Sequence, residues 1–237
     1  MFVPQEDLLR TPRPDAVIWK YFRPEYFPNL LETGTLFLNQ ASRFKDTMEG
    51  RMNERQRRSL TDESPGVVGG VEALHDYVRQ RTWVTCFNVS EQEDRDMYSE
   101  YCGPEAGVAI RTTFARLESA RQNHPSAREA FSALVTYRDD DYLRFKLGFL
   151  IFQKLPRFCH EQELRTCVLL EGEQINSSQC MRQFLRLPVL LNELIQQVYV
   201  HPQASAIYYE KICVLADRYL EQGGGRRLVR WSRLPRH

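Results

Sequence analysis

The sequence predicts an α+β fold, a mixed and mainly antiparallel sheet with flanking helices. Three observations predict it. Short β-branched and aromatic runs alternate irregularly with helical stretches, unlike the regular strand–helix alternation of a parallel doubly wound sheet. Glycine and proline fall between the runs, where turns are needed. Hydrophobic residues make up 42% of 237 positions, enough for a sizeable core.

Val17 to Phe22 reads as the first strand. Pro24 suits a first helical turn, Leu30 and Leu31 continue the helix, and Gly34 stops it. Thr35 to Leu38 is the next strand, Ser42 to Gly50 a polar loop, and Arg51 to Leu60 an exposed helix. After Pro65, Gly66, Gly69 and Gly70, Val71 to Gln80 is helical and Thr82 to Phe87 a buried strand. Asp94 or Asp96 caps a helix reaching Tyr101. Strands at Gly107 to Arg111 and Ser132 to Tyr137 flank a helix at Thr113 to Ala120. Tyr142 to Lys154 is the most apolar helix candidate, closed by Pro156, and Glu161 to Leu170 is the longest strand candidate. Val198 to His201 is extended, Ser205 to Leu220 helical, and Leu228 to Leu234 a last strand after three glycines. No repeat or linker divides the chain, so residues 1–16 form an arm and 17–237 one domain.

With 32 basic and 31 acidic residues, the chain has no general attraction for nucleic acid or anionic lipid. A nucleic-acid partner needs a local patch. The C-terminal Arg226, Arg227, Arg230, Arg233 and Arg236, with Trp231 among them, form the one candidate, against a solvated terminal strand as the plainer reading. Met1 to Arg10 carries Glu6 and Asp7 and no signal-peptide core, and no apolar run approaches ~18 residues. The expectation is a cytoplasmic protein without a membrane partner. Six cysteines without a Cys-x-x-Cys pair read as free, mostly buried thiols. The five histidines are scattered, and adjacent Cys159, His160 and Glu161 point to alternate faces of a strand, so no metal site is expected.

The chemistry concentrates in Glu161-x-Glu163-x-Arg165. On a strand these three share one face at about 7 Å intervals, either gripping a polar ligand or lying solvated as an ion-paired surface. Lys20, flanked by Trp19 and Tyr21, reaches a phosphate or carboxylate or else points to solvent. Asp46 and Glu49 sit in a loop where ribose or a cation could bind. Tyr98 and Tyr101 either stack on a ligand or belong to the core.

Taken in order, these pieces resemble the domain-of-unknown-function family numbered 2971, an uncharacterised bacterial family. Trp19-Lys20-Tyr21, Gly34 to Leu38 and Phe44 to Gly50 match its opening. Cys86-Phe87, Met97 to Tyr101, Gly107-Val108 and Val135 to Tyr137 follow. Lys154, Phe158, Glu161, Glu163 and Arg165 match its late Lys…Trp-x-x-Glu-x-Glu-x-Arg signature, with Phe158 for the tryptophan. The chain departs at Lys45-Asp46-Thr47, where the family usually has Asn-Asp-Pro. The family's layout is similar to ADP-ribosyltransferase-like domains, its members look like bacterial accessory or phage-defence genes, and the resemblance implies action in phage defence or as a toxin effector. The resemblance implies NAD as substrate, with Lys20, Tyr101 and Glu161 or Glu163 as the catalytic set. Such enzymes usually carry histidine or arginine where Lys20 stands. Tyr21, Asp46, Glu49, Lys154 and Arg165 are then the ligand-binding residues. The alternatives are a non-catalytic nucleotide-sensing or protein-binding module, and a nucleic-acid-binding or nuclease-like protein.

Overall fold

The computed structural model describes residues 9–44, 49–63, 66, 68–124, 129–137, 149–170, 184–220 and 224–236. The fold is α+β, with mixed and mainly antiparallel strand pairing. The strands are β1 (Val17–Phe22), β2 (Thr35–Gln40), β3 (Thr82–Val89) and β4 (Val108–Thr113). There follow β5 (Phe131–Leu134), β6 (Thr136–Tyr137), β7 (Gln153–Lys154) and β8 (Glu163–Leu169). The last three are β9 (Phe184–Pro188), β10 (Gln197–Val200) and β11 (Val229–Trp231). By its contacts the chain forms two compact units, each assembled from three segments.

The first unit comprises Met1–Thr11, Leu38–Cys86 and Glu129–Leu185. Here β2 runs antiparallel to β3, with Asn39 opposite Val84, and β5 runs antiparallel to β8, with Ala133 opposite Arg165. Ala41, Val84, Ala133, Ile151, Phe152 and Cys167 form its core, flanked by Phe44, Cys86 and Phe131. Helix Val68–Arg81 packs on the turn Ala41–Arg43, and helix Glu54–Glu63 packs on that helix. The predicted helix from Tyr142 to Lys154 lies largely outside the described residues. Its last part is a 3₁₀ turn, Phe149–Phe152, followed by β7. β7 pairs in parallel with β6, bringing Lys154 opposite Tyr137.

The second unit comprises Pro12–Phe37, Phe87–Arg128 and Arg186–His237. Its strands follow the order β11-β10-β4-β1-β3, with only the β11–β10 pairing parallel. One face of β1 carries Val17, Trp19 and Tyr21 into a core with Met97, Tyr98, Ala109 and Tyr199. Local signals close the helices. Gly34 at φ 58° ends Tyr26–Thr33, and Thr113 and Ser205 cap Phe114–Gln122 and Ala206–Tyr219 through their hydroxyls. Asp94 caps a single turn, Arg95–Met97, through its carboxylate. The chain then widens into a π-turn, Tyr98–Cys102, where the sequence predicts one continuous helix. No element is predicted between Leu170 and Val198, yet β9 and the one-turn helix Leu191–Leu194 form there.

Gly107 enters β4 at φ 134°, and a Cβ there would stand 2.6 Å from the Phe22 carbonyl oxygen. Gly107→Ala is expected to destabilise the protein by about 1–3 kcal/mol from backbone strain alone. A shift of the denaturant midpoint checks this; an unchanged midpoint would show that β1 and β4 give way freely.

His201 is buried after β10, edge-on to the Tyr98 ring at 5.2 Å, and its Nδ1 accepts the Gln203 N–H at 3.0 Å. Burial lowers its pKa below 6.5, against a smaller opposing hydrogen bond with Gly103. The unfolded chain therefore binds more protons below pH 6.5, and stability falls as the pH drops from there. His201→Asn keeps an acceptor but removes the titration. The fall in unfolding temperature as the pH drops below 6.5 should become shallower, and an unaltered slope would assign it to other groups.

Candidate functional site

In the first unit the late signature is a buried ionic network rather than a solvated face. Arg165 is 1% exposed and every residue of β8 before Leu169 is buried. Alternation along β8 puts Leu164, Thr166 and Val168 on one face and Glu163, Arg165 and Cys167 on the other. The Arg165 fork grips Glu163 through Nε to Oε1 at 3.0 Å and Nη2 to Oε2 at 2.8 Å. Its Nη1 donates to the Ile151 carbonyl, and Nη2 also reaches Glu49. The Arg165 guanidinium lies 5.1 Å from the centre of the Phe44 ring.

Lys154 enters the same network from β7. Its Nζ donates to Glu161 Oε2 at 2.6 Å and stands 3.5 Å from Glu163 and 3.8 Å from Glu49. Glu161 is not on the strand. It ends the 3₁₀ helix Pro156–Glu161, and Gln162 follows in the left-handed region at φ 40°, ψ 55°. That kink breaks the expected strand alternation at its first residue and lets both glutamates approach one lysine. A left-handed non-glycine residue of this kind stores strain that packing must hold. The Tyr137 hydroxyl accepts the Glu163 N–H at 2.8 Å and fixes the start of β8.

Three carboxylates thus face two cations in a nearly dry place. Burial pushes the Glu163 carboxyl above the ordinary range and Glu161 adds to this, while Lys154 and a hydrogen bond from the Cys86 thiol oppose it. For Lys154, burial works to lower the pKa, but Glu163 and Glu161 outweigh it and hold the ammonium above its usual value. Burial lowers Arg165 to about 10, which leaves it charged at neutral pH. Tyr137 is raised by burial and stays a neutral phenol. Such a set of desolvated, mutually perturbed groups has the makings of an acid–base site.

The other predicted site residues fall elsewhere. Lys20, Tyr21 and Tyr101 belong to the second unit. Lys20 and Tyr21 occupy opposite faces of β1. The Lys20 ammonium lies over the rings of Phe22 and Phe87, 5.6 and 5.1 Å from their centres. Tyr21 is a core residue whose hydroxyl accepts the Asp94 N–H at 3.0 Å. Tyr98 is also core, donating to Glu93 at 3.1 Å, whereas Tyr101 is 37% exposed. Glu49 is buried on the Arg165 network, and Asp46 lies outside the described residues. At the C-terminus Arg226 pairs with Glu210, and Trp231 stacks on Tyr209 while Arg236 lies over its ring. Cys86 and Tyr137 enter the sequence reading only as strand markers, although both contact Glu163.

Of the six cysteines, Cys102, Cys167 and Cys213 are free and buried, Cys86 is half-buried, Cys159 is exposed, and Cys180 lies outside the described residues. Among the described residues no three His, Cys, Asp or Glu side chains group as a metal site, and no helix is long and apolar enough to cross a membrane. Comparison with family models, curated proteins and solved structures finds no match.

Arg165→Met leaves Glu163 and Glu49 buried without their guanidinium. Its expected cost is about 3–5 kcal/mol of stability, read from chemical denaturation. A loss below about 1 kcal/mol would mean that the two carboxylates find water or protons at no cost.

Proposed function

We propose that the chain is an ADP-ribosyltransferase-like or NAD-cleaving enzyme that uses the carboxylates of the first unit. The observation that carries this reading is the pair Glu161 and Glu163, turned toward the same Lys154 by the left-handed Gln162. The order of residues resembling the 2971 family supports it as well.

In this reading the bond between nicotinamide and the ribose anomeric carbon breaks, and its electron pair leaves with nicotinamide. The ribosyl carbon becomes electron-poor, and a carboxylate held near it stabilises that charge. Both oxygens of Glu163 are engaged by Arg165, so Glu163 is a positioning residue. Glu161, held by Lys154, is the one to meet the ribose. Glu161 is itself buried at the end of the turn Pro156–Glu161, whose Arg157, Cys159 and His160 are exposed.

A second reading, a non-catalytic nucleotide-sensing or protein-binding module, is favoured by the closure of the Glu163–Arg165–Glu49 ion pairs. Nicotinamide release from NAD separates the two. Glu161→Gln is expected to slow release by about a hundredfold or more while the protein stays folded. Saturable NAD binding with no turnover would favour the sensing module, and turnover unaffected by Glu161→Gln would remove the proposed role of that residue.

A further inference from the structure

The second unit holds a cleft of about 530 Å³, within the range of about 300–1,000 Å³ typical of small-molecule sites. Three strands supply its floor in register. Gln197 on β10 stands across from Arg111 on β4, and Arg111 stands across from Trp19 on β1. The buried rings of Trp19 and Tyr199 meet edge to face at 5.2 Å. The Glu91–Glu93 segment after β3 and Arg233–Leu234 after β11 form the walls.

Among the described residues each of the three buried arginines has a carboxylate partner. Arg165 has Glu163 and Glu49, Arg121 has Glu118, and Arg79 has Asp76. Arg111 is half-buried, yet among the described residues its guanidinium makes one hydrogen bond, Nη1 to Gln196 Oε1 at 2.5 Å, and no ion pair. The Arg233 guanidinium, at the rim, also has no carboxylate partner among the described residues. Of the two wall carboxylates Glu91 is exposed and Glu93 is already engaged. Glu93 accepts the Arg233 backbone N–H through Oε1 at 2.8 Å and the Tyr98 hydroxyl through Oε2 at 3.1 Å. The N–H groups of the Arg111 guanidinium that Gln196 does not engage are open to a bound oxyanion, which would meet them in fork geometry.

We propose that this cleft binds a small organic oxyanion, a carboxylate or phosphate monoester carried on a planar ring, with Arg111 as its counter-ion. Arg233 closes over the bound group from the rim, and the Trp19, Tyr199 and Leu234 side chains form the apolar surface beneath the ring. This site is independent of the proposed NAD chemistry, since none of its residues belongs to the Glu161 network.

Isothermal titration of the full chain with benzoate, phenyl phosphate and benzyl alcohol tests the proposal. At least one of the two anions should bind saturably at one site per chain, and the neutral alcohol should not. The stronger anion identifies the group as carboxylate or phosphate. Arg111→Gln should weaken binding by about tenfold or more, and added salt should weaken it further. Absence of binding by both anions, equal binding of benzyl alcohol, or unchanged affinity in Arg111→Gln would overturn the proposal. Thermal unfolding establishes whether Arg111→Gln folds. If it does not, Arg233→Gln at the exposed rim carries the test: a few-fold loss of affinity supports the site, and no loss overturns it.

Discussion

A guanidinium taken out of water costs several kcal/mol unless carboxylates and carbonyls replace the lost hydration. Arg165 meets that requirement through Glu163 two positions away, the Ile151 carbonyl and Glu49, which is 116 positions distant in the chain. The first unit is organised around this one group. It ties the turn that precedes β7, the segment that follows β2 and the start of β8 to a single point. Lys154 completes the arrangement by pairing with Glu161 and standing as a second cation beside Glu163.

The same desolvation gives the network its chemical interest. With carboxylates in excess, Glu163 is pushed toward its protonated form by burial and by Glu161, and small changes in position alter the charge balance. The left-handed Gln162 adds a conformational constraint between the two glutamates that share Lys154. Strain of this kind survives only where packing over-determines it, and it accumulates at sites that do something other than hold the fold.

The second unit solves its polar problems differently. Its aromatic core buries Tyr21 and Tyr98, and each hydroxyl finds a partner in the segment after β3. Arg111 lies half-buried on the same sheet face, with an amide oxygen rather than a carboxylate as its hydrogen-bond partner. A group left in that condition by the protein's own residues is where an external ligand gains most.

Much of the fold was legible in the sequence. The bounds of β1 follow from its apolar, β-branched and aromatic run, and Gly34, Asp94 and Ser205 mark helix ends by local stereochemistry. β9 escaped because its five residues end in proline, although Leu185 and Leu187 alternate with Arg186 as a half-buried strand should. Glu161 was misplaced on the strand because a left-handed glutamine has no sequence signal comparable to a glycine. By itself the sequence determined the α+β class, most element types and the concentration of charge in the Glu161–Arg165 run. Only the tertiary structure decided that this run is buried, that Glu49 and Lys154 are its partners, and that Arg111 has none among the carboxylates of the described residues. Periodicity and capping act over a few residues, whereas burial and the choice of counter-ion depend on which distant segments the strand register brings into contact.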